Sequence, residues 1–279
     1  MSATNELNDS PAVLTIAGFD PSGGAGVIAD IRTFLHFGCR PTAAITSLTF
    51  QNSQGVFGAT HQSASSLRSQ VVAIIEEYRI SALKIGMLPT AELVGEVVRL
   101  IQEMDLPAPI VDPVFESSSG YRLIEDDAIE GLMSEFVPQA RLVTPNIPEA
   151  EKLAGLNVHD EEDMRQAAAR IRELGARAVL IKGGHLGTQA SRLLRSPRKA
   201  AGGTPAYRSE AIDLLDDEGQ VTIFRGKWID SQPVRGTGCM LSSAIAAGLA
   251  KDLQLCEAVQ AAKQFVAREI QNSKLKTQN

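Results

Sequence analysis

Cysteine is scarce in this 279-residue chain: Cys39, Cys239 and Cys256 are odd in number and far apart. That excludes a disulfide framework or a cysteine-rich metal cluster, and it fits a reducing, cytoplasmic setting. Excess positive charge is lacking too. The formal net charge is −6, so there is no general attraction to nucleic acid or anionic membrane. No apolar run approaches the ~20 residues needed to span a bilayer, and the polar opening MSATNELNDS does not read as a signal peptide. The four histidines have no partnering context for a cysteine hydrolase. A dinucleotide fingerprint, an internal repeat and an interdomain linker are also missing. What is present is ordinary: 44% hydrophobic and 22% charged residues, the composition of a globular protein with a full core.

Along the chain, buried-strand patterns alternate with amphipathic ones. AVLTIAG (12–18), AAITSLTF (43–50), ALKIG (82–86), APIVD (108–112), RLVTP (141–145) and RAVLIKGG (177–184) read as strands. The spacing of Val27, Ile28, Ile31, Phe34 and Leu35 predicts a helix over 24–36, stopped at Gly38. A second is predicted over 160–174, with Asp160 as N-cap, a stripe of Met164, Ala167, Ala168, Ile171 and Leu174, and Gly175 as its end. Nearly continuous apolar strands alternating with helices predict an α/β fold, a mainly parallel sheet covered on both faces. Residues 187–210 break the rhythm and carry Arg192, Arg195, Arg198, Lys199 and Arg208, either as a solvated loop or as a basic flap near an anionic substrate.

In such sheets ligands bind beyond the carboxyl ends of the strands, so the polar residues there are the candidates. AGFDPSGGAG (17–26) follows the first strand; its glycines let a ligand approach the backbone, or simply make a tight turn. Asp30 flanks an apolar helical stripe, where a carboxylate is paired by Lys or Arg or meets a ligand amine. Gln51 and Asn52 end the second strand, as turn amides or as partners for a heteroaromatic ring edge. Asn146 and Glu149 have the spacing of a capping box and could equally serve hydrated Mg²⁺, with Asp112 at an equivalent strand end. Lys182 ends another strand within reach of phosphate oxygens. Gly236, Thr237, Gly238 and Cys239 open a helix of small residues. There the N–H groups would stabilise an anion, and the thiol is either small packing or a proton acceptor acidified by the helix terminus.

In series, LTIAGFDPSGGAGVIADIRTF, AITSLTFQN, KIGML, VDPV, TPNIPEAEKL, IKGGHL and GTGCMLSSAIAAGLA resemble the ribokinase superfamily, and within it the hydroxymethylpyrimidine/phosphomethylpyrimidine kinases. The resemblance implies a ribokinase-like three-layer αβα fold. It assigns 11–273 to one kinase domain with a loop insertion at 187–210, between a flexible segment 1–10 and a flexible tail 274–279. It further implies ATP as co-substrate, Mg²⁺ as cofactor, a small pyrimidine as acceptor and a cytoplasmic homodimer, with neither nucleic acid nor membrane as partner. By matching position, Asp30 and Gln51 would bind the pyrimidine, with the Gly18 backbone and Met87 completing its pocket. Lys182, Thr237, Asn146 and Glu149 would serve ATP and its phosphates, and Asp112 and Glu149 would serve Mg²⁺ through water. Gly236, Thr237, Gly238 and Cys239 would form the anion hole, Cys239 taking the proton. Departures are Arg235, where the family often has His, and FESSSGYRL (115–123) in the substrate-covering region. Arg235 would then help hold phosphate. The rival on the same scaffold is a pyridoxal kinase, and a more distant one is a non-catalytic pyrimidine-binding protein.

Overall fold

The computed structural model describes residues 10–184, 210–227 and 234–277. The segment 1–9, the basic residues of the expected insertion and residues 278–279 lie outside them. One nine-stranded sheet organises the rest: β1 (Ala12–Phe19), β2 (Arg40–Asn52), β3 (Gly55–His61), β4 (Ile80–Ile85), β5 (Ile110–Val111), β6 (Leu142–Val143), β7 (Ala178–Lys182), β8 (Glu210–Asp217) and β9 (Gln220–Lys227). The order is β3-β2-β1-β4-β5-β6-β7-β8-β9. Strands β2 to β7, with β1 in their midst, run parallel, apart from β3; β3, β8 and β9 are antiparallel additions at the two edges. The α/β expectation holds. Strands β5 and β6 are shorter than their apolar runs, because Pro109 and Pro145 flank them and supply no N–H to a ladder.

Strand alternation divides the core into two layers. Leu14, Ile16, Leu83, Ile85, Val111, Val143, Val179 and Ile181 face one side. Helices α2 (Ala64–Ile75), α3 (Ala91–Glu103), α4 (Asp126–Gly131), α5 (Ile147–Ala154) and α6 (Glu161–Glu173) lie there, contributing among others Leu67, Leu93, Val97, Ala128, Leu153 and Met164. Val13, Ala82, Ile110, Leu142, Ala178 and Leu180 face the other side. It is closed by α1 (Gly26–His36), α7 (Thr237–Ala250) and α8 (Leu255–Thr277), through Phe34, Ile245 and Val259. Small residues in α7 serve close packing: a Cβ on Gly248 would lie 2.9 Å from the Cβ of Ala258. Asp160 caps α6 through the Asp163 N–H, as its spacing predicts. Helix α8 takes in residues 274–277, which were expected to be tail.

One polar cluster interrupts the α1/α7 layer. Thr15 of β1 and Lys84 of β4 are register partners and share the side of Val13 and Ala82. Asp30 of α1 is fully buried against them. Its Oδ2 accepts from Thr15 Oγ1 at 2.6 Å and Lys84 Nζ at 2.8 Å, and its Oδ1 accepts from Ser243 Oγ of α7 at 2.7 Å. Of the two readings of Asp30, pairing with an internal cation is the one this geometry displays. A carboxylate with no exposed surface and three internal donors is engaged by the protein itself. Burial draws the Lys84 pKa down, but the negative charge of Asp30, with Cys239 and Asp112 nearby, outweighs it and keeps the ammonium charged.

Removing one partner leaves an uncompensated interior charge. Lys84→Met is expected to cost about 3–5 kcal/mol of stability, measured by urea denaturation, and Lys84→Met/Asp30→Asn should recover part of it. A Lys84→Met variant as stable as wild type would contradict the pairing.

Candidate active site

The site forms where the first loop is pressed onto the N-terminus of α7. Asp20 orders that loop: Oδ1 accepts from the Ser22 N–H at 2.8 Å and Ser22 Oγ at 2.7 Å, and Oδ2 accepts from the Gly24 N–H at 3.1 Å. Two glycines permit the backbone contacts. Gly26 has φ +56°, and a Cβ there would lie 2.2 Å from the Gly18 carbonyl oxygen. Gly236, the N-cap of α7, has φ +74°, and its Cβ would lie 2.1 Å from the Gly24 oxygen. No other residue fits such approaches. The glycine loop is thus more than a turn: it is one wall of the α7 terminus.

No side chain caps α7, so the first-turn N–H groups are not consumed by a capping side chain. Cys239 lies in that turn and keeps some exposed surface. Burial nevertheless pushes its thiol up, to about 11; Lys84 and the Gly26 N–H pull downward, while Asp112 and Asp30 add to the rise. Acidification by the helix terminus is therefore corrected. Desolvation, with two carboxylates nearby, outweighs the pull of Lys84 and the Gly26 N–H.

Across from this turn stands a second charged cluster. Lys182 Nζ, ending β7, donates to Asp112 Oδ1 at 2.8 Å and lies 4.0 Å from Glu149 Oε2. Asn146 and Glu149 form the capping box of α5: Asn146 Oδ1 accepts from the Glu149 N–H at 2.9 Å, and Glu149 Oε2 accepts from the Asn146 N–H at 2.7 Å. Both readings of this pair are compatible, since the capping carboxylate also turns toward Lys182. Burial lifts the Glu149 carboxyl to about 7; Lys182 opposes this and Asp112 reinforces it. Asp112 moves the other way: burial would raise it, but Lys182 and Lys84 hold it below its ordinary range. A Cβ on Gly238 would sit 3.3 Å from Lys182 Nζ and 3.5 Å from Asp112 Oδ2. The missing side chain at Gly238 is what brings the α7 terminus against this cluster. Among the described residues no group of three or more His, Cys, Asp and Glu is arranged to hold a metal ion directly. Two hard carboxylates that raise one another's charge cost do suit a hydrated divalent cation held through water.

On the other side of the first loop, a Cβ on Gly18 would meet Met87 Sδ at 2.9 Å, so these two predicted residues do share a wall. Thr49 Oγ1 contacts both the Phe19 carbonyl oxygen, at 2.9 Å, and Gln51 Oε1, at 3.0 Å, orienting the Gln51 amide. Asn52 Oδ1 accepts from the Gln54 N–H, which is its turn-amide reading. A cleft of about 410 Å³ opens beside Met87, lined also by His61, Pro89, Tyr121 and Leu123. Residues 115–123 fold back there, with Ser119 Oγ accepting from the Val56 N–H of β3 at 3.4 Å. Arg235, expected near phosphate, reaches back to the first loop and the end of β2. Its guanidinium is bound to Asp20, Ser22 and the Asn52 carbonyl. Sequence reasoning missed the roles of Lys84 and Asp213. The latter accepts from the Gly183 N–H at 2.9 Å and pairs with Lys263. Only the β7–β8 register brings Asp213 beside Lys182, and no local pattern announces it.

Comparison with known proteins places the chain in a family. Residues 20–279 match the family model described as phosphomethylpyrimidine kinase. A hydroxymethylpyrimidine/phosphomethylpyrimidine kinase of Aquifex aeolicus is 40% identical over 261 residues, 94% of each chain. The crystal structure of phosphomethylpyrimidine kinase from Clostridium difficile superposes with TM-score 0.76 at 34% identity, covering 93% of this chain and 99% of that one. A Staphylococcus aureus pyridoxal kinase in complex with ADP gives TM-score 0.80 at 28% identity, covering 94% and 89%.

The Glu149 carboxyl yields a stability prediction. Its folded pKa of about 7 exceeds the ordinary unfolded value of about 4.3, so the folded state is favoured by protonation. That contribution is complete below the unfolded value and is lost as pH rises through about 7. In metal-free buffer, Glu149→Gln, which keeps a capping acceptor, should gain in Tm relative to wild type on going from pH 5 to pH 8. A Tm difference independent of pH would contradict the assignment.

Proposed function

The chain belongs to the phosphomethylpyrimidine kinase family, and from that premise we propose that it moves the γ-phosphoryl group of ATP to the hydroxymethyl oxygen of 4-amino-5-hydroxymethyl-2-methylpyrimidine. The monophosphate is then phosphorylated to the diphosphate, in thiamine biosynthesis. What carries this reading is the approach of the uncapped α7 turn to the Lys182–Asp112 pair across Gly238. Donors that face developing charge on a transferring phosphoryl group need this placement. One ribokinase-like domain over 11–273, a homodimer and a cytoplasmic location accompany the proposal as part of the family reading.

The roles follow from position. The Gly236–Cys239 backbone forms the anion hole, Lys182 and Thr237 take ATP phosphates, and Asn146 holds the α5 terminus beside them. Asp112 and Glu149 would hold Mg²⁺ through water, and the ion would neutralise phosphate charge when bound. Gln51, the Gly18 backbone and Met87 border the acceptor, while Asp30 supports the site from beneath. In the step itself a bond forms between the hydroxymethyl oxygen and Pγ, the bond from Pγ to ADP breaks, and the hydroxyl proton passes to the Cys239 thiolate. In a loose transition state that proton leaves late, so a small thiolate fraction suffices.

Pyridoxal kinases share the scaffold, but the 40% identical relative bears the pyrimidine name and the 28% identical structure the pyridoxal one. ADP release measured with the hydroxymethylpyrimidine, its monophosphate and pyridoxal tests the choice. The pyrimidine acceptors should give at least about tenfold higher kcat/KM, a difference of about 1.4 kcal/mol in transition-state binding; preference for pyridoxal would overturn the proposal.

Cys239→Ala should lower kcat by about 10²–10⁴-fold, the usual contribution of a positioned general base, with little change in KM. In wild type, kcat should climb toward high pH as the thiol, near 11, ionises, and the variant should lose that limb. An unchanged kcat would remove Cys239 from the role of base.

A further inference from the structure

Arg235 joins three segments that are remote in sequence. Its Nη2 donates to Asp20 Oδ2 at 3.0 Å; its Nη1 donates to the Asn52 carbonyl oxygen at 2.6 Å and to Ser22 Oγ at 3.1 Å. Asp20 is 2% exposed, and its remaining acceptor positions are filled by the Ser22 N–H, Ser22 Oγ and the Gly24 N–H. The guanidinium therefore neutralises a buried carboxylate whose other donors are all neutral. It also closes the end of β2, one residue beyond Gln51, and its own chain continues directly into Gly236. A Cβ on Gly24 would lie 3.5 Å from Arg235 Nη1 and 3.5 Å from Asp20 Oδ2, so the loop backbone passes flush beneath the pair.

The geometry points to Arg235 as a positioning residue that sets the distance between the acceptor wall (Gly18, Gln51) and the anion hole (Gly236–Cys239), without itself holding phosphate. The inference rests on the kinase reading for what those two walls bind. A planar fork can hold a carboxylate and a carbonyl at once from two fixed nitrogens, whereas a neutral imidazole has a single N–H to give. Binding both ends fixes the two walls as one unit. Reacting groups that must meet within a few tenths of an ångström depend on such a unit, since a misplacement of about 1 Å costs about a hundredfold in rate.

The test combines kinetics with backbone hydrogen exchange on Arg235→Ala, Asp20→Asn and the double variant. Expected is a fall in kcat of about a hundredfold for Arg235→Ala, equal for both phosphorylation steps, with KM for ATP and for the monophosphate nearly unchanged. The double variant should be slowed by less than the product of the two single effects, because the Asp20–Arg235 contact is shared while Asp20 keeps its own contacts to Ser22 and Gly24. Without any substrate, amides 20–26 and 52–54 should exchange faster in Arg235→Ala. A selective rise in KM for the monophosphate or for ATP would make Arg235 a phosphate ligand and overturn the inference, as would unchanged exchange at 20–26. If wild-type protein ignores both pyrimidine acceptors, the kinase reading falls, and the exchange measurement still decides whether Arg235 holds the two walls together.

Discussion

The buried pairing of Asp30 with Lys84 is the constraint on which the rest of the molecule is built. Two full charges sit in a layer otherwise made of Val13, Phe34, Ala82, Ala244 and Ile245. Desolvating them is expensive, and the geometry must offset that cost. It does so by completeness: one carboxylate oxygen takes Thr15 and Lys84, the other takes Ser243. The four residues belong to β1, β4, α1 and α7. Apolar side chains could fill the same space without fixing how α7 is rotated about its axis, because dispersion has no preferred direction. Directional hydrogen bonds from Ser243 remove that freedom. In the same helix Gly238 lies against Asp112 and Lys182.

From this pair a row of alternating charge runs along the carboxyl edge of the sheet. Asp30 neutralises Lys84, Lys84 also acts on Asp112, and Asp112 holds Lys182, which in turn faces Glu149. The row ends on the carboxyl with the weakest compensation, and that group's pKa is the one lifted to about 7. A row finishing in a half-neutralised acid beside an uncapped helix terminus has unmet demands of both signs within one small space. A polyphosphate accompanied by a divalent cation would answer both under the proposed function: its oxygens would take the amides and Lys182, and its cation the carboxylates.

Sequence patterns read this molecule well where causes are local. Alternating apolar runs announced the parallel sheet, Asp160 and Gly175 bounded their helix, and the Asn146–Glu149 spacing was a capping box in fact. The helical flank position of Asp30 correctly left a choice between an internal cation and a ligand. The answer lay in Lys84, 54 residues away, on a strand that becomes a neighbour of β1 only through a crossover. Arg235 is a similar case, since its partners precede it by 183 to 215 residues. For Cys239 the helix terminus was visible in sequence and the burial was not, so the direction of its pKa came out reversed. Each miss concerns solvation or pairing across layers, quantities that no window along the chain contains.

That reversal bears on why a thiol suits position 239. The turn is flanked by Asp30 and Asp112, both of which raise the cost of a further negative charge there. A carboxylate in this place would be ionised in the resting protein, and it would set a third anion against an incoming triphosphate. A thiol held near 11 would stay neutral while a nucleotide approached. In the proposed transfer it would act as a strong proton acceptor in its rare ionised form, with Lys84 and the Gly26 N–H placed to stabilise that form. Neutrality during binding and basicity during transfer are opposing demands on one atom. Burial meets the first, and the Lys84 charge that Asp30 keeps in place beneath the helix meets the second.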